Sequence, residues 1–128
     1  MKLIPTYSFT KEEIKKFKNK SGIYALAYEG EIFYIGQSVN LGERLSRHRS
    51  ENAFEQTIKD IIRDDGKTNR CKALAMYNFI NEHREDIYFM ILKEIPREEL
   101  NTAEEHYITY YKPRYNYKGV DVPYTPAR

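Results

Sequence analysis

The spacing of apolar and polar positions changes period several times along the chain, and each change marks an element. Thr10 with Glu13 three residues on has the form of a capping box, and the charged run KEEIKKFK behind it predicts a short helix with Lys15, Lys16 and Lys18 facing mostly water. GIYALAYEGEIFYIG holds two β-rich runs around Glu29-Gly30, a hairpin pattern. Asn40 is a suitable N-cap with Glu43 three residues later, and Leu41, Leu45 and His48 lie on one helical stripe, which predicts a helix from Leu41 to about Arg49. Phe54, Ile58, Ile61 and Ile62 recur at i, i+4, i+7 and i+8 and stop at Asp65-Gly66, predicting a second amphipathic helix, and a third covers Cys71 to His83. Ile87 to Ile95 is apolar at nearly every position and ends at Pro96, as a central strand covered on both faces would be. Leu100, Ala103, Tyr107, Ile108 and Tyr111 form the stripe of a last helix, which Pro113 stops because its ring clashes with the preceding turn.

The order is helix, hairpin, helices, strand, helix. A three-stranded mixed or antiparallel sheet flanked by helices satisfies it with short connections, so the predicted fold class is α+β. At 128 residues the chain is long enough for one real core and points to one domain. With 41% hydrophobic and 31% charged residues and no apolar run near the ~20 residues of a membrane span, the composition is that of a soluble protein. MKLIPTYSFT lacks the apolar core of a secretory signal, so a cytoplasmic location and no membrane partner are expected. Cys71, the single cysteine, can build neither an internal disulfide nor a thiolate metal site. A formal charge of +2 is too small to announce a nucleic-acid binder, so any such surface must be local. Twelve tyrosines against no tryptophan supply side chains with apolar bodies and polar tips, suited to the rim of a wet site.

Glu104 stands four residues after Leu100 and four before Ile108, a carboxylate inside the stripe meant for the core. A buried ionised carboxylate must be paired, hydrogen-bonded or bound to a cation. Three readings are open: an arginine partner, a place at the stripe's edge reaching solvent, or a metal ligand. Arg44 and His48, four apart, point the same way from one helix, where a guanidinium can grip a phosphate and an imidazole can relay a proton. With Arg47 and Arg49 on the same helix, a merely solvated basic face is the alternative.

Gly22-Ile23-Tyr24 and Tyr34-Ile35-Gly36 resemble the two signature tripeptides of the GIY-YIG nuclease superfamily. Arg44 follows the second tyrosine by ten residues and His48 comes four later, while Glu104 precedes Asn116 by twelve within Lys112-Pro113-Arg114-Tyr115-Asn116. The resemblance covers roughly Ser21 to Lys118 and extends to excision-repair nuclease domains and to the catalytic domains of homing and restriction endonucleases. It implies a nuclease domain over 21–118, which leaves the charged capped run as a helical leader over 1–20 and the segment with Pro123 and Pro126 as an irregular tail over 119–128. By the same resemblance the chain is a DNA endonuclease that uses one divalent ion, Mg2+ or Mn2+, to hydrolyse phosphodiesters to 5′-phosphate and 3′-hydroxyl ends on duplex or branched DNA. Glu104 resembles the carboxylate that binds the ion, a ligand set that suits magnesium because it keeps several waters. Arg44 resembles the arginine that steadies the scissile phosphate, and Tyr24 the phenol implicated in activating water, with Tyr34 and His48 beside it. Asn116 is similar to the asparagine that closes the site, and Gly36, Gln37, Arg44, Lys112 and Arg114 are the residues expected to meet nucleic acid. Gln37 departs from the pattern, standing where lysine is common, and Glu105 adjoins Glu104, so the count to Asn116 and the stripe together choose between them. No DNA-recognition module is evident and the oligomeric state is not encoded. The rival reading is a non-catalytic nucleic-acid-binding module on the same fold, with Lys15, Lys16, Lys18, Lys20 and Arg114 on the backbone.

One geometric demand follows. A two-residue loop at Glu29-Gly30 with regular pairing would set Tyr24 opposite Ile35 and send Tyr34 to the other face. A three-residue loop pairing Ala27 with Glu31, or a bulge of the same effect, places both phenols on one face with Arg44 and Glu104.

Overall fold

The computed structural model describes residues 4–50, 52–63 and 71–116. The turn at Asp65-Gly66, the tail over 119–128 and the side chains of Ile61, Ile62 and Cys71 lie outside the described residues. The elements are β1 (Thr6–Ser8), α1 (Lys11–Ile14) with a 3-10 turn at Lys15–Phe17, β2 (Gly22–Tyr28), β3 (Glu31–Ser38), α2 (Leu41–Arg49), α3 (Ala53–Arg63), α4 (Cys71–His83), β4 (Tyr88–Glu94) and α5 (Leu100–Tyr111).

The fold is α+β, but the sheet has four antiparallel strands in the order β1-β4-β2-β3, not three. The extra strand comes from the expected helical leader: Thr6, Tyr7 and Ser8 pair with Met90, Phe89 and Tyr88. Three residues are too few to show an alternating pattern, and the strand is held by tertiary packing, Tyr7 against Phe17 at 5.1 Å and Phe89 at 5.3 Å between ring centroids. Strand β4 is an inner strand as predicted, yet only Phe89 in it is fully buried, because β1 covers no more than its first three residues.

Helix boundaries follow local chemistry. The Thr10 and Asn40 side chains accept from the Glu13 and Glu43 N–H groups, which opens α1 and α2 at the predicted caps. At its far end α5 stops at Lys112, in the left-handed conformation with φ 48°, one residue before Pro113.

The hairpin meets its demand by a different device from the expected three-residue loop. Tyr28 pairs with Glu31, and Glu29 (φ 49°) and Gly30 (φ 81°) form a two-residue turn with both residues left-handed. A bulge then inserts Phe33: Ala27 pairs with Ile32 but Leu26 with Tyr34, so Tyr24 faces Gly36. Tyr34 therefore sits across from the residue two positions past Tyr24, and both phenols share a face, their centroids 6.2 Å apart.

Candidate active site

On the sheet face covered by α2 and α4, Tyr24 is completely buried and its phenol lies where a Cβ on Gly36 would stand. Any side chain at Gly36 would collide with the hydroxyl, so the glycine of the second tripeptide is a packing requirement. The Tyr24 hydroxyl is 2.6 Å from Nε2 of His48, and Nδ1 of His48 is 2.8 Å from the Tyr77 hydroxyl. Tyr34, half-buried, closes the group with its ring 5.4 Å from that of His48. Burial, reinforced by the charges of Arg44 and Arg47, pulls the imidazole down to about 3, so His48 is neutral at physiological pH. Burial and then the neighbouring Tyr34 push the Tyr24 phenol well above its ordinary 10, against the opposing pull of Arg44, and burial with Tyr34 holds Tyr77 at about 12. A neutral imidazole has one N–H donor and one acceptor nitrogen, so it donates to one phenol and accepts from the other. Burial raises the Tyr24 phenol and lowers the His48 imidazole, so full transfer of the proton from one to the other is strongly uphill. At rest the three groups are a neutral hydrogen-bonded chain.

The carboxylate comes from the opposite face. Glu104 on α5 is 8% exposed whereas Glu105 is exposed, which settles which of the two turns inward. Nε2 of Gln37 donates to Oε1 of Glu104 at 3.1 Å and to Oδ1 of Asn101, one turn earlier on α5, at 2.7 Å. Two oxygens thus converge on one small donor at the rim of β3, an oxygen set suited to a hard cation. Among the described residues no group of three or more His, Cys, Asp or Glu is placed to hold a metal. The two halves meet electrostatically at Tyr24, which Arg44 and Glu104 push in opposite directions. Of the predicted residues, Tyr24, Tyr34, Gly36, Gln37, Arg44, His48 and Glu104 therefore gather at the β3 edge.

Asn116 is buried but spends its amide elsewhere: Nδ2 donates to the Ile35 carbonyl and Oδ1 accepts from the Ile35 N–H, both at 2.8 Å. It continues the ladder on the outer side of β3 and fixes the strand that carries Tyr34 and Gly36. Arg114 pairs with Glu31 at 2.9 Å, six residues and so roughly 20 Å along β3 from Gln37. Lys112 is exposed at the end of α5, about 12 Å of helix from Glu104. Neither belongs to the cluster. Tyr77 was not singled out from sequence, since it is one of twelve tyrosines, and its bond to His48 spans 29 positions.

The hairpin thus sets Tyr24 over Gly36, beside a helix carrying Arg44 and His48 and a second helix carrying Glu104. Residues 20–116 match the GIY-YIG catalytic domain, and the chain belongs to the GIY-YIG family. Solved structures similar to it include the GIY-YIG N-terminal endonuclease domain of UvrC from Thermotoga maritima bound to magnesium, at 20% identity and a TM-score of 0.48, covering 84% of this chain and 100% of that one. A point mutant of the same domain bound to its catalytic divalent cation matches with the same identity and score over 84% of this chain and 99% of that one. No curated protein matches the chain. Among the described residues no helix is long and apolar enough to cross a membrane.

Proposed function

We propose that the chain is a metal-dependent DNA endonuclease, its nuclease unit spanning residues 21–118, that acts in the cytoplasm on duplex or branched DNA and leaves 5′-phosphate and 3′-hydroxyl ends. The observation that supports this reading is the buried Glu104, hydrogen-bonded to Gln37 of the strand that also carries Tyr34 and Gly36, with the buried Tyr24–His48 pair packed against the same strand. Family membership supports the nuclease reading.

Glu104 would hold the cation, Mg2+ or Mn2+, with the Asn101 amide oxygen converging on the same point. When bound, that ion supplies the charge that offsets the phosphate and its leaving oxygen. Arg44 grips the scissile phosphate, where its planar fork matches two oxygens. Gln37, a neutral donor to Glu104 and Asn101, orients rather than charges the site. Burial divides the phenols: Tyr34 is half-open and meets the attacking water, whereas Tyr24 is sealed and acts through His48. With His48 neutral, the imidazole can accept from one phenol while donating to the other, which lets the chain of hydroxyls reorient without building charge in the core.

Supercoiled plasmid incubated with magnesium and either wild type or Glu104→Ala tests the reading. We expect nicking by the wild type and a loss of at least about 10²-fold in the variant, with folding and DNA binding retained. Cutting by the variant at wild-type rate would overturn the metal assignment. DNA binding without cutting by the wild type would return the binding-module reading.

A further inference from the structure

The hydrogens of the Tyr24–His48–Tyr77 chain can be laid out in two ways, and burial separates them. Among the described residues the Tyr24 hydroxyl has a single hydrogen-bond partner, Nε2 of His48 at 2.6 Å, and Tyr24 is sealed from solvent. Were Nε2 to carry the imidazole proton, it would donate to the Tyr24 oxygen and leave the phenol's own hydrogen in the core without an acceptor. Buried polar groups avoid that arrangement because the orphaned donor keeps its full desolvation cost. With the proton on Nδ1, Tyr24 donates to a bare Nε2 and Nδ1–H donates to the Tyr77 oxygen at 2.8 Å. The hydrogen left over is then that of Tyr77, which is half-buried where Tyr24 is sealed, so it falls to the phenol that water reaches.

Tyr77 also sets the direction in which the imidazole points. It lies on α4 between the buried Met76 and Ile80, with its ring 5.7 Å from that of His48 and tilted by 32°. His48 is therefore tied to the sheet through one nitrogen and to α4 through the other. Turning the ring over would present carbon atoms to both phenols and lose both bonds. A base that faces a hydroxyl with one nitrogen and is anchored at the other by a third group recurs where a proton must be taken from a defined atom. A carboxylate in the anchoring position would bring a charge into the core, whereas a phenol orients the ring without one.

We propose that Tyr77 is a positioning residue: by accepting the Nδ1 hydrogen it holds His48 with a bare Nε2 aimed at Tyr24. The hydrogens of the resting site then run from Tyr24 through His48 to Tyr77 and outward. This inference rests on the nuclease reading only for its consequence on rate.

The test is NMR of the full chain carrying isotope-labelled histidine, read beside single-turnover cleavage of plasmid. Wild type without DNA at neutral pH should show His48, assigned by the loss of its signals in His48→Phe, with Nδ1 protonated and Nε2 bare. In Tyr77→Phe the ring stays but Nδ1–H loses its acceptor, so that proton should move upfield and exchange with water at least about tenfold faster. The cleavage rate in saturating magnesium should fall about tenfold with DNA affinity unchanged. Tyr88→Phe is the control, since its hydroxyl meets the Gly30 N–H instead, and it should match wild type in both readouts. A proton on Nε2 in wild type overturns the proposal whether or not the variant folds. An unmoved Nδ1 proton in Tyr77→Phe, a cleavage rate equal to wild type, or an equal loss of rate in Tyr88→Phe overturns the positioning role. A wild type with Nδ1 protonated that cuts no DNA overturns the nuclease reading and upholds the assignment of the proton.

Discussion

On one face of the sheet Ile23, Ala25 and Ile35 pack against Leu100 and Ile108 of α5; on the other, Tyr24 and Tyr34 meet His48 and Tyr77 beneath α2 and α4. Both faces exclude water almost completely, yet one is apolar and the other threads hydroxyls and an imidazole through its centre. The apolar face contributes cohesion and carries at its rim Glu104, the one buried carboxylate among the described residues. The polar face gives up some of that cohesion, since each buried hydroxyl must find a partner, and gains a chain of groups whose protons can reorient. The bulge at Phe33 makes the arrangement possible, because without it Tyr34 would join the apolar face.

Substitutions should separate the two faces. The largest loss of stability is expected from Ile108→Ala, which removes a fully buried side chain from the apolar face and should cost about 3 kcal/mol. Its urea midpoint should fall accordingly, while cleavage per folded molecule stays within a few-fold of wild type. A variant of full stability would show that α5 is not the structural wall.

A smaller effect belongs to His48. Its folded pKa of about 3 lies below the ordinary 6.5, so between those values the unfolded chain binds a proton that the folded chain refuses. The stability linked to this group is therefore complete above pH 6.5 and falls by about 1.4 kcal/mol per unit as the pH drops toward 3. Urea midpoints between pH 6.5 and 4.5 should show this slope in wild type and a flatter one in His48→Phe. Identical slopes would mean that the imidazole is protonated inside the fold.

Much of this was legible in the residues themselves. Asn40 with Glu43 and the Leu100–Tyr111 stripe fix α2 and α5 because caps and periodicity are local, and the spacing of Tyr24, Tyr34, Arg44 and Glu104 carries the family pattern. The shared face of the two tyrosines was deducible as a demand, but not the bulge that satisfies it, since a bulge depends on how Phe33 packs against Phe79 and Tyr115, residues remote in sequence. Tyr77 and the pairing of Asn116 with Ile35 escaped for the same reason. Arg114 reads as a phosphate contact by neighbourhood in sequence, and the fold gives it to Glu31 instead. Strand β1 is three residues whose pairing exists only because β4 offers an edge.

The smallest expected change in stability is the most informative about mechanism. Tyr24→Phe removes one oxygen from the centre of the polar face and leaves the ring over Gly36, so stability should fall by only about 1 kcal/mol. The decisive measurement is the single-turnover rate at which this variant cleaves plasmid in saturating magnesium. If the buried phenol–imidazole chain and Glu104 form one site across the sheet edge, the rate should drop by about 10²-fold or more with the fold intact. A Tyr24→Phe protein that cuts as fast as wild type would contradict that claim and reduce the chain to a buried structural network.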